Sequence, residues 1–327
     1  MSSFRKRLMM SQGGGGGAGN EVSSAESVVG DVCVYGISEG RLMIINNWSA
    51  SKYPIDKYSP VGIVVVPGSH GHYADGKCAI MSLNYMRCDT PTIGGEYQGM
   101  YWGVYSQDIS SLPNLDQVPY VGRYGNVGAN IIGQTNRAFL PSDHPQFTAL
   151  ANPYDTKTNY YEINSSCASS PYNNDGIFNP NYSSITSPSS TANCLADFDG
   201  YNNTKRILKV RGSKNYSTWK PTTNNQNDYP AASCCDMYYT VGTSQKEWYL
   251  PSAGELGYVC VRIKTINDTI SKLISAGAAN ASVIRLYNHC SSSEYSNYCE
   301  RRINFSSGEV YYYDKYSDIY VRAFRLV

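Results

Sequence analysis

Charge is scarce in this chain. Only 16 % of its 327 residues are Asp, Glu, Lys or Arg, and the formal net charge is +1. Neutralising phosphates takes a concentrated basic surface, so no nucleic-acid partner is expected. Long apolar runs are missing as well. Nowhere do the ~18 successive apolar residues of a membrane-crossing helix occur, so no membrane span is expected. Near the start, Arg5, Lys6 and Arg7 are followed only by Leu8, Met9 and Met10 before polar Ser11 and Gln12. A secretory leader has about 7–15 apolar residues in that place, so no signal peptide is expected.

The ten cysteines lack a spacing that would give them one shared role. There is no CxxC pair and no Cys/His cluster of zinc type. Cys234 and Cys235 are adjacent, which suits an unstrained bridge poorly. Free thiols, several of them buried, are expected, and synthesis in a reducing compartment fits them. His70 and His72 have no third metal ligand nearby. Asp197 and Asp199 resemble the start of a calcium loop, but Leu208 stands where position 12 needs a bidentate Glu. No metal and no cofactor is expected.

What the chain does have is tyrosine: 30 residues against 7 Phe and 4 Trp. A buried Tyr hydroxyl needs a partner, so an aromatic core would use more Phe. Tyr, Ser, Gly and Asn together are the chemistry of antibody-type binding loops. A loop-rich β protein with a polar surface gives the same composition.

Along the chain, residues 1–25 read as a flexible tail carrying the glycine run Gly13–Gly17, with order beginning near Val28. Residues 26–327 read as one domain. Asp31–Tyr35 alternates like a half-buried strand. Val61–Val66 is a β-branched run of the kind buried on both faces, and Cys78–Leu83 is a third strand. From 91 to 190 periodicity disappears, and the stretch reads as an irregular insertion packed on the scaffold. Asp197–Gly200 is a turn leading into a short helix, Thr204–Val210. Ser252 and Glu255 form a capping box. Behind it Leu256, Val259, Ile263, Ile266, Ile270 and Leu273 make a core-facing stripe, interrupted at Asn267 or Asp268 and closed by Gly277. Ile303 and Phe305 alternate with polar residues, 306–309 turn, Val310–Tyr313 return, and Val321, Ala323 and Phe324 belong to a last strand. The expected class is α+β.

An ordered set of elements between Asp197 and Ala323 carries a resemblance. Trp248–Leu256 reads WYLPSAGEL. Upstream stand Asp197-Phe198-Asp199-Gly200 and Asn203-Thr204. Downstream stand Ser291–Ser296, then Ile303–Gly308, Lys315 and Val321-Arg322-Ala323. This set resembles the formylglycine-generating-enzyme-like branch of the C-type-lectin fold. Within that branch it is most similar to the variable proteins of diversity-generating retroelements of phages and prophages. In them a reverse transcriptase miscopies template adenines, so Asn codons become random at their first two bases.

The resemblance implies a C-type-lectin-like fold and an outward-facing variable region at 286–323. Seventeen positions lie between the scaffold residues. They are Tyr287, Asn288, His289 and Cys290; Asn297, Tyr298 and Cys299; Arg301 and Arg302; Tyr311, Tyr312, Tyr313 and Asp314; and Tyr316, Asp318, Ile319 and Tyr320. Each is reachable from a randomised Asn codon, whereas Glu294, Glu300, Glu309 and Lys315 are not. Arg301 and Arg302 are expected to offer forked donors to carboxylate or sugar oxygens. Ser291–Glu294 is expected to be a turn. One departure is that many relatives carry Trp where Cys290 stands.

The implied function is that of a hypervariable receptor-binding protein on a phage tail fibre, with no catalytic residues. Its partners would be a bacterial surface protein or glycan and other virion proteins. Fibre tips in such systems are commonly trimeric, so a homotrimer is one expected assembly. Two alternatives share the scaffold. One is a bacterial surface adhesin without diversification. The other is an oxidase of the formylglycine-generating type, for which Cys290 and Cys299 would be the only candidate pair in the corresponding region.

Overall fold

The β-branched run Val61–Val66 lies at the centre of a seven-stranded sheet. The computed structural model describes residues 19–68, 73–86, 100–112, 121–122, 125–126, 197–212, 228–305, 309–317 and 319–327. Its strands are β1 (Asn20–Val22), β2 (Val32–Gly36), β3 (Arg41–Asn46), β4 (Tyr58–Val66), β5 (Ala79–Ser82), β6 (Val121–Gly122), β7 (Gly125–Asn126), β8 (Trp248–Tyr249), β9 (Asn288–Glu294), β10 (Cys299–Asn304), β11 (Glu309–Asp314) and β12 (Phe324–Leu326). Its helices are α1 (Gly200–Arg211), α2 (Pro230–Met237), α3 (Ala253–Val261) and α4 (Ile263–Ser275). The large sheet runs β1-β3-β2-β4-β5-β12-β8, and its strand pairs are antiparallel. A second antiparallel sheet has the order β11-β10-β9, and β6 pairs with β7. The class is α+β, as expected. No described helix is long and apolar enough to cross a membrane.

The continuous apolar run of β4 has a simple cause: both faces of the sheet are covered. Ile63 and Val65 join Leu256, Val259, Ile263, Ile266, Ile270 and Leu273 of α3 and α4 in one core. Val61 and Val64 join Met100, Trp102, Ile109, Ile207 and Cys235 in the other. The buried stripe of α3 and α4 is the one read from the sequence, but its break is not at Asn267 or Asp268. It falls at Arg262, whose backbone leaves the helical range at φ −118°, ψ 11°. Asn267 stays helical because its side chain has other work. It accepts the Ile284 N–H at 2.7 Å and donates to the Ile284 carbonyl at 3.1 Å, tying the helix to the chain that enters the C-terminal sheet.

Several boundaries differ from expectation. The stretch read as a tail to residue 25 includes β1, which pairs with β3 while Arg41 grips the Glu21 carboxylate at 2.5 and 3.0 Å. Residues 1–18, with the glycine run, lie outside the described residues, as do His70 and His72. Helix α1 begins one turn before Thr204. Within 91–190, residues 100–112 hold no strand or helix, yet Met100, Trp102, Ile109 and Leu112 are core. Ser291–Glu294 is not a turn but the second half of β9. The Ser291 hydroxyl donates to the Arg301 carbonyl of β10 at 2.6 Å, and the Ser293 hydroxyl donates to Asp197 at 2.5 Å.

Candidate binding surface on the C-terminal sheet

Residues from the Asp197–Thr204, Trp248–Leu256 and Ser291–Ser296 elements meet in one buried polar knot. Asp197 accepts the Asp199 N–H at 3.0 Å, the Asn203 amide at 2.9 Å and the Ser293 hydroxyl at 2.5 Å. Ser252 caps α3; its hydroxyl donates to the Asp197 carbonyl at 2.5 Å, and its N–H donates to Glu255 at 2.7 Å. Tyr73 and Tyr249 donate their hydroxyls to the other oxygen of Glu255, at 2.5 and 2.8 Å. Gly200 has to be glycine, because a Cβ there would lie 2.3 Å from the Glu255 carboxylate and 2.7 Å from Ser252 N. Burial pushes Asp197 up to about 6 and Glu255 up to about 7. The knot welds α1, α3 and β9, three elements far apart in sequence. Among the described residues no group of three or more His, Cys, Asp or Glu side chains is placed to hold a metal.

The three-stranded sheet built on this knot has a charged interior. Lys315 pairs with Glu294, both fully buried, and donates to the Gln107 carbonyl at 2.7 Å. Its ammonium sits 4.8 Å from the Trp102 ring centre, and the Trp102 indole donates to the Ser291 carbonyl at 2.7 Å. Arg302 pairs with Glu300, and donates to the carbonyls of Ser317 at 3.1 Å and Asp314 at 3.4 Å. Burial raises Glu294 and Glu300 to about 7 and lowers Lys315, while the ion pairs oppose both shifts. This lattice fixes the turn after β11 and anchors it to residues 100–112.

Outside the lattice lies tyrosine. Of the seventeen positions read from the sequence, the exposed ones are Tyr287, Tyr298, Tyr312, Tyr313 and Tyr316, each between 41 and 59 % exposed. Neighbours Tyr312 and Tyr313 both reach solvent because β11 is an edge strand. Asn288, Asn297, Cys299, Asp314 and Tyr320 are half-buried. Asp318 lies outside the described residues, and Tyr311 is described only as backbone, opposite Arg302.

Five positions expected to face outward are buried: His289, Cys290, Arg301, Arg302 and Ile319. His289 stacks on Phe305 at 4.1 Å with Nδ1 3.0 Å from the Tyr287 carbonyl, and burial lowers its pKa to about 3. Cys290 and Ile319 are part of the second core. Arg302 serves the lattice and lies 4.7 Å from the Tyr313 ring centre, so it is not an exposed donor. Arg301 lies 4.3 Å from the ring centre of Tyr295.

Two surface residues escaped the sequence reading. Tyr105, 43 % exposed, packs on Tyr298 at 5.1 Å and on Tyr316 at 4.9 Å. It comes from the aperiodic stretch, where no pattern marks it. Tyr295, treated as scaffold, stacks on Tyr312 at 4.3 Å and 9°. At the other end of the sheet Tyr287 stacks on Tyr320 at 5.8 Å and 11°. The result is a set of exposed rings, each with a hydroxyl, on a rigid support. Such rings offer large contact area with few rotatable bonds.

Seven cysteines fall among the described residues, and no disulfide joins any two of them. Burial drives Cys290 far above the usual thiol range, and Cys299 is raised as well. Cys88, Cys167 and Cys194 lie outside the described residues.

No family model matches the chain, and no curated protein matches it in sequence. A search of solved structures aligns it with the crystal structure of a fimbrial protein from Bacteroides ovatus, at a TM-score of 0.44 and 16 % identity. The alignment covers 91 % of this chain and 48 % of that one, so the chain spans about half the length of that protein. A likeness at that level assigns neither fold nor function.

Proposed function

We propose that this chain is a ligand-binding protein of C-type-lectin-like fold. Its exposed tyrosine face would be diversified by a retroelement and displayed on a phage tail fibre for attachment to a bacterial surface. One observation carries the reading. Within 286–323, the residues that a randomised Asn codon cannot produce, where their side chains are described, are Glu294, Glu300 and Lys315, and all three are fully buried in ion pairs. The exposed positions are all tyrosines, which such a codon does produce. A division between fixed interior and variable exterior is what a diversified surface requires. The gathering of the signature residues into one polar knot supports the lectin-like assignment. The oxidase alternative fares worse, because a nucleophilic thiol needs a depressed pKa and both Cys290 and Cys299 are raised.

The test is attachment. Labelled protein is applied to a panel of bacterial isolates, beside a variant with Tyr298, Tyr312, Tyr313 and Tyr316 all changed to Ala. The expected result is binding to a subset of isolates and its loss in the variant at unchanged melting temperature. Equal attachment by both proteins would refute the tyrosine face as the binding site. Attachment through this face with no reverse-transcriptase gene nearby would make the chain a surface adhesin without diversification.

A further inference from the structure

The tyrosine face has a polar anchor beneath it. Arg301 is 2 % exposed, and two of its nitrogens, Nε and Nη2, have no hydrogen-bond partner among the described residues. Those two nitrogens form one edge of the guanidinium, the edge that holds two oxygens of a planar anion with parallel hydrogen bonds. Buried donors are nearly always satisfied, so an open fork of this kind calls for an occupant. The register of the sheet says where that occupant would lie. Arg301 is the direct cross-strand partner of Tyr312, so the two side chains leave the same face. Tyr312, 54 % exposed, stacks on Tyr295, which in turn lies over the Arg301 guanidinium. By contrast Arg302, on the opposite face, spends its donors on Glu300, Asp314 and Ser317.

Resting on the proposed binding role of this face, we infer that Arg301 is its charge-reading residue and that the ligand of this variant is an acidic sugar. The pyranose would stack on Tyr312 while its carboxylate fills the Nε–Nη2 fork. A pyranose carboxylate uses both features, the flat ring and the fork; an acidic peptide side chain uses only the fork. The Tyr295 ring lies over the guanidinium in the absence of ligand, so binding displaces that ring.

Isothermal titration with oligogalacturonate tests this, with its methyl ester as the uncharged control and a poly-glutamate peptide as the second arm. The acid is expected to bind at least about tenfold more tightly than the ester, because ester binding leaves the buried fork half-filled. Arg301→Met is expected to erase that difference while the melting temperature holds or rises, since a buried guanidinium with open donors does not stabilise the fold. Arg301→Lys keeps the charge but loses the fork, and is expected to retain only a small part of the preference. Equal binding of acid and ester, unchanged discrimination in Arg301→Met, or no binding of either glycan would overturn the proposal. Binding of the peptide alone would overturn the sugar and leave an acidic protein as ligand. None of these failures touches the tyrosine face itself, which stands or falls on the attachment of the four-tyrosine variant.

Discussion

The two sheets bury opposite chemistries. The central strand of the large sheet buries Val61, Ile63, Val64, Val65 and Val66. In the C-terminal sheet the buried residues of β9 and β10 include His289, Ser291, Ser292, Ser293, Glu294, Glu300, Arg301 and Arg302. An aliphatic interior is held by non-directional area burial and tolerates small changes. A charged interior depends on each partner being present, because a buried ion left alone is penalised heavily. Under the proposed function, the second kind suits a support that must stay in one register while its outer side chains change, because a shift of register would separate its ion pairs. Residues 100–112 belong to this support, through Trp102 and the Gln107 carbonyl.

The charged interior is most vulnerable at Lys315, which is fully buried on Glu294. Lys315→Met leaves Glu294 buried without its cation and is expected to destabilise the protein by roughly 3–5 kcal/mol in chemical denaturation. Adding Glu294→Gln should recover a large part of that loss, because the two side chains act as one unit. Additive losses in the double variant would mean that the pair is not coupled.

Next in size is the pH dependence of the polar knot. Glu255 is raised from 4.5 to about 7 and Asp197 from 3.8 to about 6, both by burial. Each folded-state pKa lies above the unfolded one, so the folded state binds these protons more tightly. Their contribution is fully present below the unfolded values and is lost as pH rises through the folded ones. For Glu255 alone this amounts to about 3 kcal/mol. His289 works the other way: its pKa is lowered to about 3, so its contribution is present above 6.5 and is lost as pH falls. Melting temperature is therefore expected to fall between pH 5 and pH 8, and Glu255→Gln to flatten that fall. A rise over the same interval would contradict the raised carboxyls.

The smallest effects separate core from surface. Ile63→Val, in the aliphatic sheet, is expected to lose about 0.5–1.5 kcal/mol. Tyr316→Ala, at an exposed position in the turn after β11, should change stability by less than about 0.5 kcal/mol. A larger loss at Tyr316 than at Ile63 would place that tyrosine in the support and not on its surface.

Much of the aliphatic architecture was legible in the sequence, because apolar periodicity reports burial directly. The run at Val61–Val66 and the stripe from Leu256 to Leu273 were readable for that reason. The signature elements were readable as an ordered set, although not as a hydrogen-bonded knot. The charged interior was not legible. Strand β9, Asn288–Glu294, has no apolar alternation, and its partners lie across the sheet or in residues 100–112. A hint existed at Glu300 and Arg302, two residues apart in a strand and so on one face, where opposite charges pair. Arg301 and Arg302 look alike in sequence and differ only in which face they leave, so their separate fates required the register. Tyr105 had no signal at all, since aperiodic chain gives no sign of where it packs.

Under the proposed function a fixed, charged interior carries a variable tyrosine exterior, and the flanking DNA would record that division. A near-repeat of the segment encoding 286–323 is expected beside the gene, differing from it only at template adenines. Those differences should fall in the codons of Tyr287, Tyr298, Tyr312, Tyr313 and Tyr316 and spare those of Glu294, Glu300 and Lys315. A repeat that differs at other bases, or that alters the buried charged residues as often as the exposed tyrosines, would contradict it.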